Sequence, residues 1–380
     1  MYIFRLFLSL FLLLSLFHTT LAAPRLVPAP PSIPAKSYLL IDQNSGQVIA
    51  EKDADSRVEP ASLTKLMTAY AVFFEIQAGS STLEDQVRIS EKAWRMSGSR
   101  MFVEVNKMVP LKELLKGMII QSGNDASVAL AEHVAGSEEA FVTLMNKHAQ
   151  KLGMTNTNFV NSTGWPHADH YTTATDLARL SSALIHDFPD YYPWYKIKEY
   201  TYNNIRQPNR NRLLWLDERV DGMKTGHTES AGYCLITSAV QDNMRLISVV
   251  LGTPSENARA SASRSLLNYG FRFYETFPLH KADDPLTSMR IWKGEEEMVS
   301  LGLSAPLYIT APRGSREKIK ANMNIDSQIM APAIKGQAYG SVNVILGDET
   351  LATRPLIALN DVPEGNLWRQ LVDNIILLFN

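Results

Sequence analysis

Residues 220–251, VDGMKTGHTESAGYCLITSAVQDNMRLISVVL, carry the pattern that decides the fold class. Val220–Lys224, Gly232–Val240 and Arg245–Leu251 are β-rich, and only Thr228-Glu-Ser-Ala231 and Gln241-Asp-Asn243 separate them. Links this short join antiparallel neighbours, because a parallel return needs a crossover of about a dozen residues. Upstream, Ser37–Asp42 and Gln47–Glu51 flank the turn Asn44-Ser-Gly46 and read as a hairpin. Downstream, Ala258–Phe277 reads as a helix packed on the sheet.

Between hairpin and sheet the period is helical. Pro60 and Ser62 open a helix that runs to Ala78 and closes at Gly79. Leu63, Leu66, Met67, Tyr70, Val72, Phe73, Phe74 and Ile76 make it apolar on nearly every side, so it is expected to be buried. Further helices are expected at Leu111–Ile119, Ala126–Ala135, Glu138–Leu152 and Ala174–His186. Asn156–Thr173 is polar, contains Gly164 and Pro166, and reads as a long ordered loop. The expected first domain, 36–279, is therefore an α/β (α+β) unit with an antiparallel sheet and a helical cluster.

Beyond it the helical period disappears. Short strand-like runs at Met289–Trp292, Leu307–Thr310, Ile319–Met323, Ser341–Leu346 and Pro355–Leu359 predict a small all-β domain over 280–362. Residues 363–380 read as an amphipathic helix, with Leu367, Trp368, Leu371, Val372, Ile375, Leu378 and Phe379 on one face. It is too short to span a bilayer and suited to lying in the interface.

The N-terminus reads as a targeting segment. Arg5, the apolar run Leu6–Phe17 and the small residues of Thr20-Leu-Ala22 predict a signal peptide over 1–22, followed by a Pro-rich leader over 23–35. Export implies an oxidising compartment, yet Cys234 is the sole cysteine, so no internal disulfide can form. The 37 Lys and Arg nearly balance 39 Asp and Glu, a net charge of -2. That argues against a nucleic-acid partner, whose phosphates call for a clearly basic face.

Three strings carry chemistry: Ser62-Leu-Thr-Lys65, Ser122-Gly-Asn124 and Lys224-Thr-Gly226. Residues three apart on a helix share a face, so the Lys65 amine reaches the Ser62 hydroxyl. A serine needs a base, and burial plus a second cation, for which Lys224 is the candidate, lowers a lysine pKa into the working range. Ser62 also begins its helix, where free backbone N–H groups favour a developing anion. Ser122 offers a second hydroxyl for proton transfer to a leaving amine, and Asn124 an amide able to hold a peptide backbone. Lys224 and Thr225 suit a carboxylate, and Gly226 leaves room along the strand edge.

A Ser-x-x-Lys string arises by chance about once in a chain this long. Ser315-Arg-Glu-Lys318 is such a decoy, in the β region and without the apolar helix or the later strings. Ser122-Gly-Asn124 taken alone reads as a helix N-cap, and Lys224-Thr-Gly226 as a strand end. The ordered triplet separates Ser62 from these readings.

The surroundings Glu59–Thr68, Leu115–Ala126, Asn209-Arg-Asn211 with Leu213-Leu-Trp215, and Val220–Thr228 resemble the low-molecular-mass D-alanyl-D-alanine carboxypeptidases, penicillin-binding proteins of the type-five class. The resemblance covers nearly the whole chain. It implies a serine transferase/β-lactamase-like fold and an acyl-enzyme at Ser62, formed from peptidoglycan stem pentapeptides or from β-lactams. Lys65 would be the base, Ser122 and Asn124 would relay the proton and hold substrate, and Lys224 and Thr225 would grip the terminal carboxylate. Backbone N–H groups of Ser62 and His227 would form the oxyanion hole, and Arg210 and Arg259 would lie near the carboxylate. It implies no cofactor and no metal, and a peripheral position on the periplasmic face of the inner membrane.

Three alternatives stand beside it. A penicilloyl sensor or cell-wall scaffold would acylate with little turnover. A class A β-lactamase would need a Glu-x-x-Leu-Asn loop, which is missing between Ser122 and Lys224. A zinc D,D-peptidase would have only His167-Ala-Asp-His170 as a close histidine pair, with no evident third ligand.

Overall fold

The computed structural model describes residues 27–378. The expected signal peptide, the first residues of the leader and the last two residues of the tail lie outside the described residues.

Five antiparallel strands form the main sheet: β1 (Ser37–Asp42), β2 (Val48–Lys52), β3 (Val220–Thr228), β4 (Gly232–Gln241) and β5 (Met244–Thr253), in the order β2-β1-β5-β4-β3. Both faces are covered, which explains why β4 and β5 are apolar in runs rather than alternating. Leu40, Leu246 and Val250 face one core with Leu266 and Leu267 of a helix at Glu256–Phe273. Leu39, Ile247, Val249 and Leu251 face the other, with Met67 and Phe73. Each large apolar side chain fully buried this way contributes about 1.5–3 kcal/mol. The leader lies against the first core, and the Tyr269 hydroxyl donates to the Pro28 carbonyl at 2.8 Å.

The helical cluster follows expectation. A 3₁₀ turn at Ala61–Thr64 runs into α1 (Lys65–Gln77). Leu66, Met67, Ala69, Ala71, Val72 and Phe73 of α1 are fully buried, as its all-round apolar character requires. Next come α2 (Leu111–Lys116), α3 (Asn124–Ala135), α4 (Glu138–Lys151) and α5 (Ala174–Asp187). The expected helix ending near Ile119 instead passes into a π-helical turn at Gly117–Gln121.

One expected helix is shorter than its sequence suggests. Ala258–Phe277 is helical only to Phe273, and Tyr274–His280 is a strand paired with Leu307–Pro312. Pro278 bars the helix from running through Phe277 and beyond, and the pairing with Leu307–Pro312 takes up the segment from Tyr274. The sequence reading also passes over Met298–Gly302 and the hairpin Glu199–Tyr202/Ile205–Pro208, both too short to show a period.

The C-terminal region is all-β. Its six-stranded sheet runs in the order Ile319–Ile325, Ala338–Leu346, Glu349–Ala358, Met298–Gly302, Pro285–Trp292 and Ile329–Met330. Phe277, Ile291, Val299, Leu301, Ile309, Val344, Leu356 and Val362 form its core. The buried Asp42 carboxylate ties it to the first domain. Asp42 accepts from the Ser45 amide (2.8 Å), the Ser45 hydroxyl (2.9 Å) and the Thr276 hydroxyl (3.0 Å).

The terminal helix Leu367–Leu377 docks by its polar side. Asp373, only 5% exposed, accepts from the Lys293 amide at 2.6 Å and from Arg290 at 3.2 Å. Leu367 (86% exposed), Trp368 (73%), Leu371 and Ile375 point away from the domain. No helix among the described residues is long and apolar enough to cross a membrane.

Candidate active site

The three strings meet in one cleft of about 780 Å³, lined by Ser62, Ser122, Asn124, Thr225, Gly226 and His227. Ser62 stands in the 3₁₀ turn that opens α1, with Lys65 as the first residue of the helix proper. The Lys65 Nζ lies 3.1 Å from Ser62 Oγ, 2.7 Å from Asn124 Oδ1 and 2.6 Å from the Thr163 carbonyl oxygen. All three are acceptors for the Lys65 N–H groups as placed; once the amine loses a proton, two N–H bonds can keep the two short acceptors and the lone pair is left for the serine O–H. Burial brings Lys65 down to about 7; the Asp125 carboxylate works against the fall and Arg210 adds to it.

Arg210 is a cation acting on Lys65 that stands beside the expected Lys224, whose charge and that of Lys65 oppose each other. Lys224 is itself buried, and its pKa is pushed well down by burial and then by Lys65, Arg210 and Arg259. Its Nζ is 2.8 Å from Ser122 Oγ and 3.1 Å from the Thr225 carbonyl oxygen. Ser122 reaches it from a left-handed backbone conformation (φ 67°), at the end of the π-helical turn. Such turns and conformations cost energy and gather at functional sites.

Asn124 is spoken for. Its Oδ1 accepts from Lys65, and its Nδ2 donates to the Ser97 carbonyl at 2.6 Å. It thus ties the candidate base to the opposite wall. Gly226 lines the cleft and also meets a packing demand. A Cβ there would come 3.1 Å from the Pro60 carbonyl oxygen and 3.2 Å from Leu63 Cγ. Its bareness lets β3 lie against the Ser62 turn. His227 is exposed at the lip, with its ring stacked 4.0 Å from that of Tyr233.

The two arginines differ. Arg259 is buried; its guanidinium donates to the Gly226 carbonyl and to Glu256, both at 3.2 Å, and covers the Tyr233 ring. Arg210 lines the cleft and makes no hydrogen bond or ion pair among the described residues. Buried Asn209 and Asn211 grip the backbone on either side of it: Asn209 donates to the Ile197 carbonyl at 3.0 Å and Asn211 to the Gly222 carbonyl at 2.9 Å.

Two contributors escape the sequence reading. Asp125 buries its carboxylate against the backbone amides of Met101 (3.0 Å), Phe102 (2.9 Å), Val103 (3.3 Å) and Ala126 (2.9 Å), and so fixes the wall that carries Gly98 and Ser99. The loop at 161–167 supplies the Thr163 carbonyl and packs on the Ser62 turn. A Cβ on Gly164 (φ 84°) would fall 1.7 Å from the Ala61 carbonyl oxygen, so only glycine fits.

The histidine pair does not converge. His170 is buried, with Nε2 2.9 Å from Thr64 Oγ1 and its ring edge-on to Phe159, and burial holds it at about 4. His167 is 55% exposed. The decoy Ser315 donates to the Pro312 carbonyl, with Lys318 in a surface turn away from the cleft.

Comparison with known proteins gives the family. Residues 25–255 match the peptidase S11 family, D-alanyl-D-alanine carboxypeptidase, and residues 274–364 match the penicillin-binding protein 5 C-terminal domain. The chain is 44% identical to D-alanyl-D-alanine carboxypeptidase DacC of Escherichia coli over 95% of its own length and 92% of the relative. It is 40% identical to DacA of Haemophilus influenzae over 98% and 96%. Penicillin-binding protein 5 from Haemophilus influenzae superposes with a TM-score of 0.86 at 42% identity, covering 89% of this chain and all of that one.

Proposed function

The chain belongs to the peptidase S11 family of D-alanyl-D-alanine carboxypeptidases, and on that premise we propose how its residues divide the reaction. The enzyme is a serine hydrolase that removes the terminal D-alanine from peptidoglycan stem pentapeptides, and β-lactams inhibit it. The observation that carries the reading is the 3.1 Å contact between Ser62 and a buried lysine brought down to about 7, at a cleft that Arg210 also lines.

Lys65 takes the Ser62 proton while Ser62 Oγ attacks the carbonyl carbon of the penultimate residue. The backbone N–H groups of Ser62 and His227 hold the oxyanion, at about 3–4 kcal/mol per donor. The C–N bond breaks, and the departing amine receives its proton through Ser122, beside Lys224. Water then attacks the ester; Lys65 takes the proton that the water loses and passes it to Ser62 Oγ as the C–O bond breaks, which restores both groups. Lys224, Thr225 and Arg210 bind the terminal carboxylate, and Asn124 positions Lys65. Arg259 acts through the Gly226 carbonyl. Residues 36–273 form the peptidase unit and 274–362 the all-β unit, a boundary earlier than the expected 279/280; the pairing of Tyr274–His280 with Leu307–Pro312 and the place of Phe277 in the all-β core support it.

D-alanine release from diacetyl-Lys-D-Ala-D-Ala tests the reaction. Catalytic release with penicillin-sensitive kinetics is expected. Stoichiometric uptake of labelled penicillin without release of D-alanine would favour a sensor or scaffold and overturn the enzyme. Fast penicillin hydrolysis without peptide cleavage would favour a β-lactamase.

Residues 1–22 direct export, and the mature protein sits peripherally on the periplasmic face of the inner membrane through residues 363–380. The outward Leu367, Trp368, Leu371 and Ile375 support this. Arg369 is paired with Glu297 and Asp373 with Arg290, so attachment is apolar rather than electrostatic. Co-sedimentation of the mature chain with phosphatidylethanolamine–phosphatidylglycerol vesicles is expected to survive high salt. Leu371→Asp is expected to weaken it about tenfold or more, the loss of one buried leucine. Equal binding of both proteins would exclude the tail as the anchor.

A further inference from the structure

The cleft holds two aromatic side chains, Trp165 and Tyr233, and they are not equivalent. Tyr233 is engaged by the His227 ring at 4.0 Å and by the Arg259 guanidinium at 5.5 Å. Trp165 makes no aromatic or cation–π contact among the described residues and is 50% exposed. An indole left half in water forgoes substantial burial, about 25 cal/mol for each Å² of apolar surface.

Nor is Trp165 on a loose loop. Asn161 Oδ1 accepts from the amides of Thr163 (3.2 Å), Gly164 (2.8 Å) and Trp165 (3.1 Å), while Asn161 Nδ2 donates to the Trp165 carbonyl at 2.9 Å. One side chain thus clamps the whole turn. The same turn presents the Thr163 carbonyl to Lys65 at 2.6 Å, so the indole is registered to the reacting centre. Its ring edge reaches toward the facing wall: Cζ3 lies 3.5 Å from where a Cβ on Gly98 would stand. A side chain at 98 would close this gap.

We propose that Trp165 is a specificity-determining residue whose indole is a shelf for the acyl-side chain of the substrate. The chemistry it suits is a long methylene stem, as on the diamino acid preceding the two D-alanines. Lys224, Thr225 and Arg210 take up the carboxylate end, and Ser62 fixes the scissile carbonyl. The acyl side then falls to the rest of the lining, where Trp165 with Pro166 is the apolar surface still open. A flat indole accepts a methylene chain along its face while the polar tip stays in water. The proposal rests on the carboxypeptidase reading.

The test compares kcat and KM for diacetyl-Lys-D-Ala-D-Ala and acetyl-Gly-D-Ala-D-Ala in the wild type, Trp165→Ala and Trp165→Phe. Stoichiometric acylation by labelled penicillin verifies that each variant retains an intact site. The wild type is expected to prefer the lysine peptide, chiefly through KM. Trp165→Ala is expected to lose about fivefold or more of that preference, and Trp165→Phe to keep most of it. A preference unchanged within about twofold in Trp165→Ala, or a loss carried equally by both peptides, overturns the shelf. A wild type that cleaves both peptides equally also overturns it and leaves the carboxypeptidase reading standing. A wild type that cleaves neither removes the carboxypeptidase reading itself.

Discussion

Ser62→Ala is expected to lower D-alanine release by about four orders of magnitude or more and to abolish covalent uptake of labelled penicillin. The size follows from the route. Without an oxygen at position 62 no ester forms, and the remaining donors only hold substrate against water. The fold should persist, because Lys65 keeps its short bonds to Asn124 Oδ1 (2.7 Å) and the Thr163 carbonyl (2.6 Å) when Ser62 Oγ is removed. Intact-mass measurement of the wild type should show one added penicilloyl group, and peptide mapping should locate it on Ser62. A label on any other residue, or substantial D-alanine release by the folded variant, would remove Ser62 from the mechanism.

The second large effect concerns Lys65. A base must be neutral to accept a proton, and the buried amine is held at about 7. Below that value the protonated fraction grows, so the rate constant for penicillin acylation is expected to fall about tenfold per pH unit. Above it the rate levels off. Acylation is the better readout because it precedes product release. Lys65→Arg is expected to lose about three orders of magnitude or more, since a guanidinium stays charged throughout this range. Arg210→Ala removes a cation that depresses Lys65, so its acid limb should move to higher pH. It should also raise KM for peptides, because it removes part of the carboxylate grip. A limb that stays in place in Arg210→Ala while KM rises would restrict Arg210 to carboxylate binding. A flat wild-type profile from about pH 5 to 9 would exclude Lys65 as the base.

Parts of this site were legible before any coordinates. Ser62 and Lys65 are three residues apart on a helix, so their contact is a local consequence of helical geometry. Gly226, Asn124 and Arg259 are singled out by the sequence for one reason each, and the structure gives each a further contact. Gly226 accommodates the Ser62 turn, Asn124 anchors the base, and Arg259 buttresses β3. A residue type announces that a position matters and is silent about which neighbour it serves. The Thr163 carbonyl carries no signature at all, because every residue has one. Asp125 follows the second string with no signature of its own, yet its carboxylate gathers amides 22 to 24 positions upstream.

Periodicity and short-range spacing determined the antiparallel sheet, the buried α1, the all-β C-terminal region and the Ser62–Lys65 pair. These depend on interactions between residues close along the chain, which local side-chain chemistry dictates. Tertiary structure alone decided what surrounds Lys65, whose partners lie 59 and 98 positions away. It also decided which arginine stands free in the cleft and which side of the terminal helix faces outward. Each of these follows from burial and charge summed over distant segments, and that sum exists only once the chain has closed on itself.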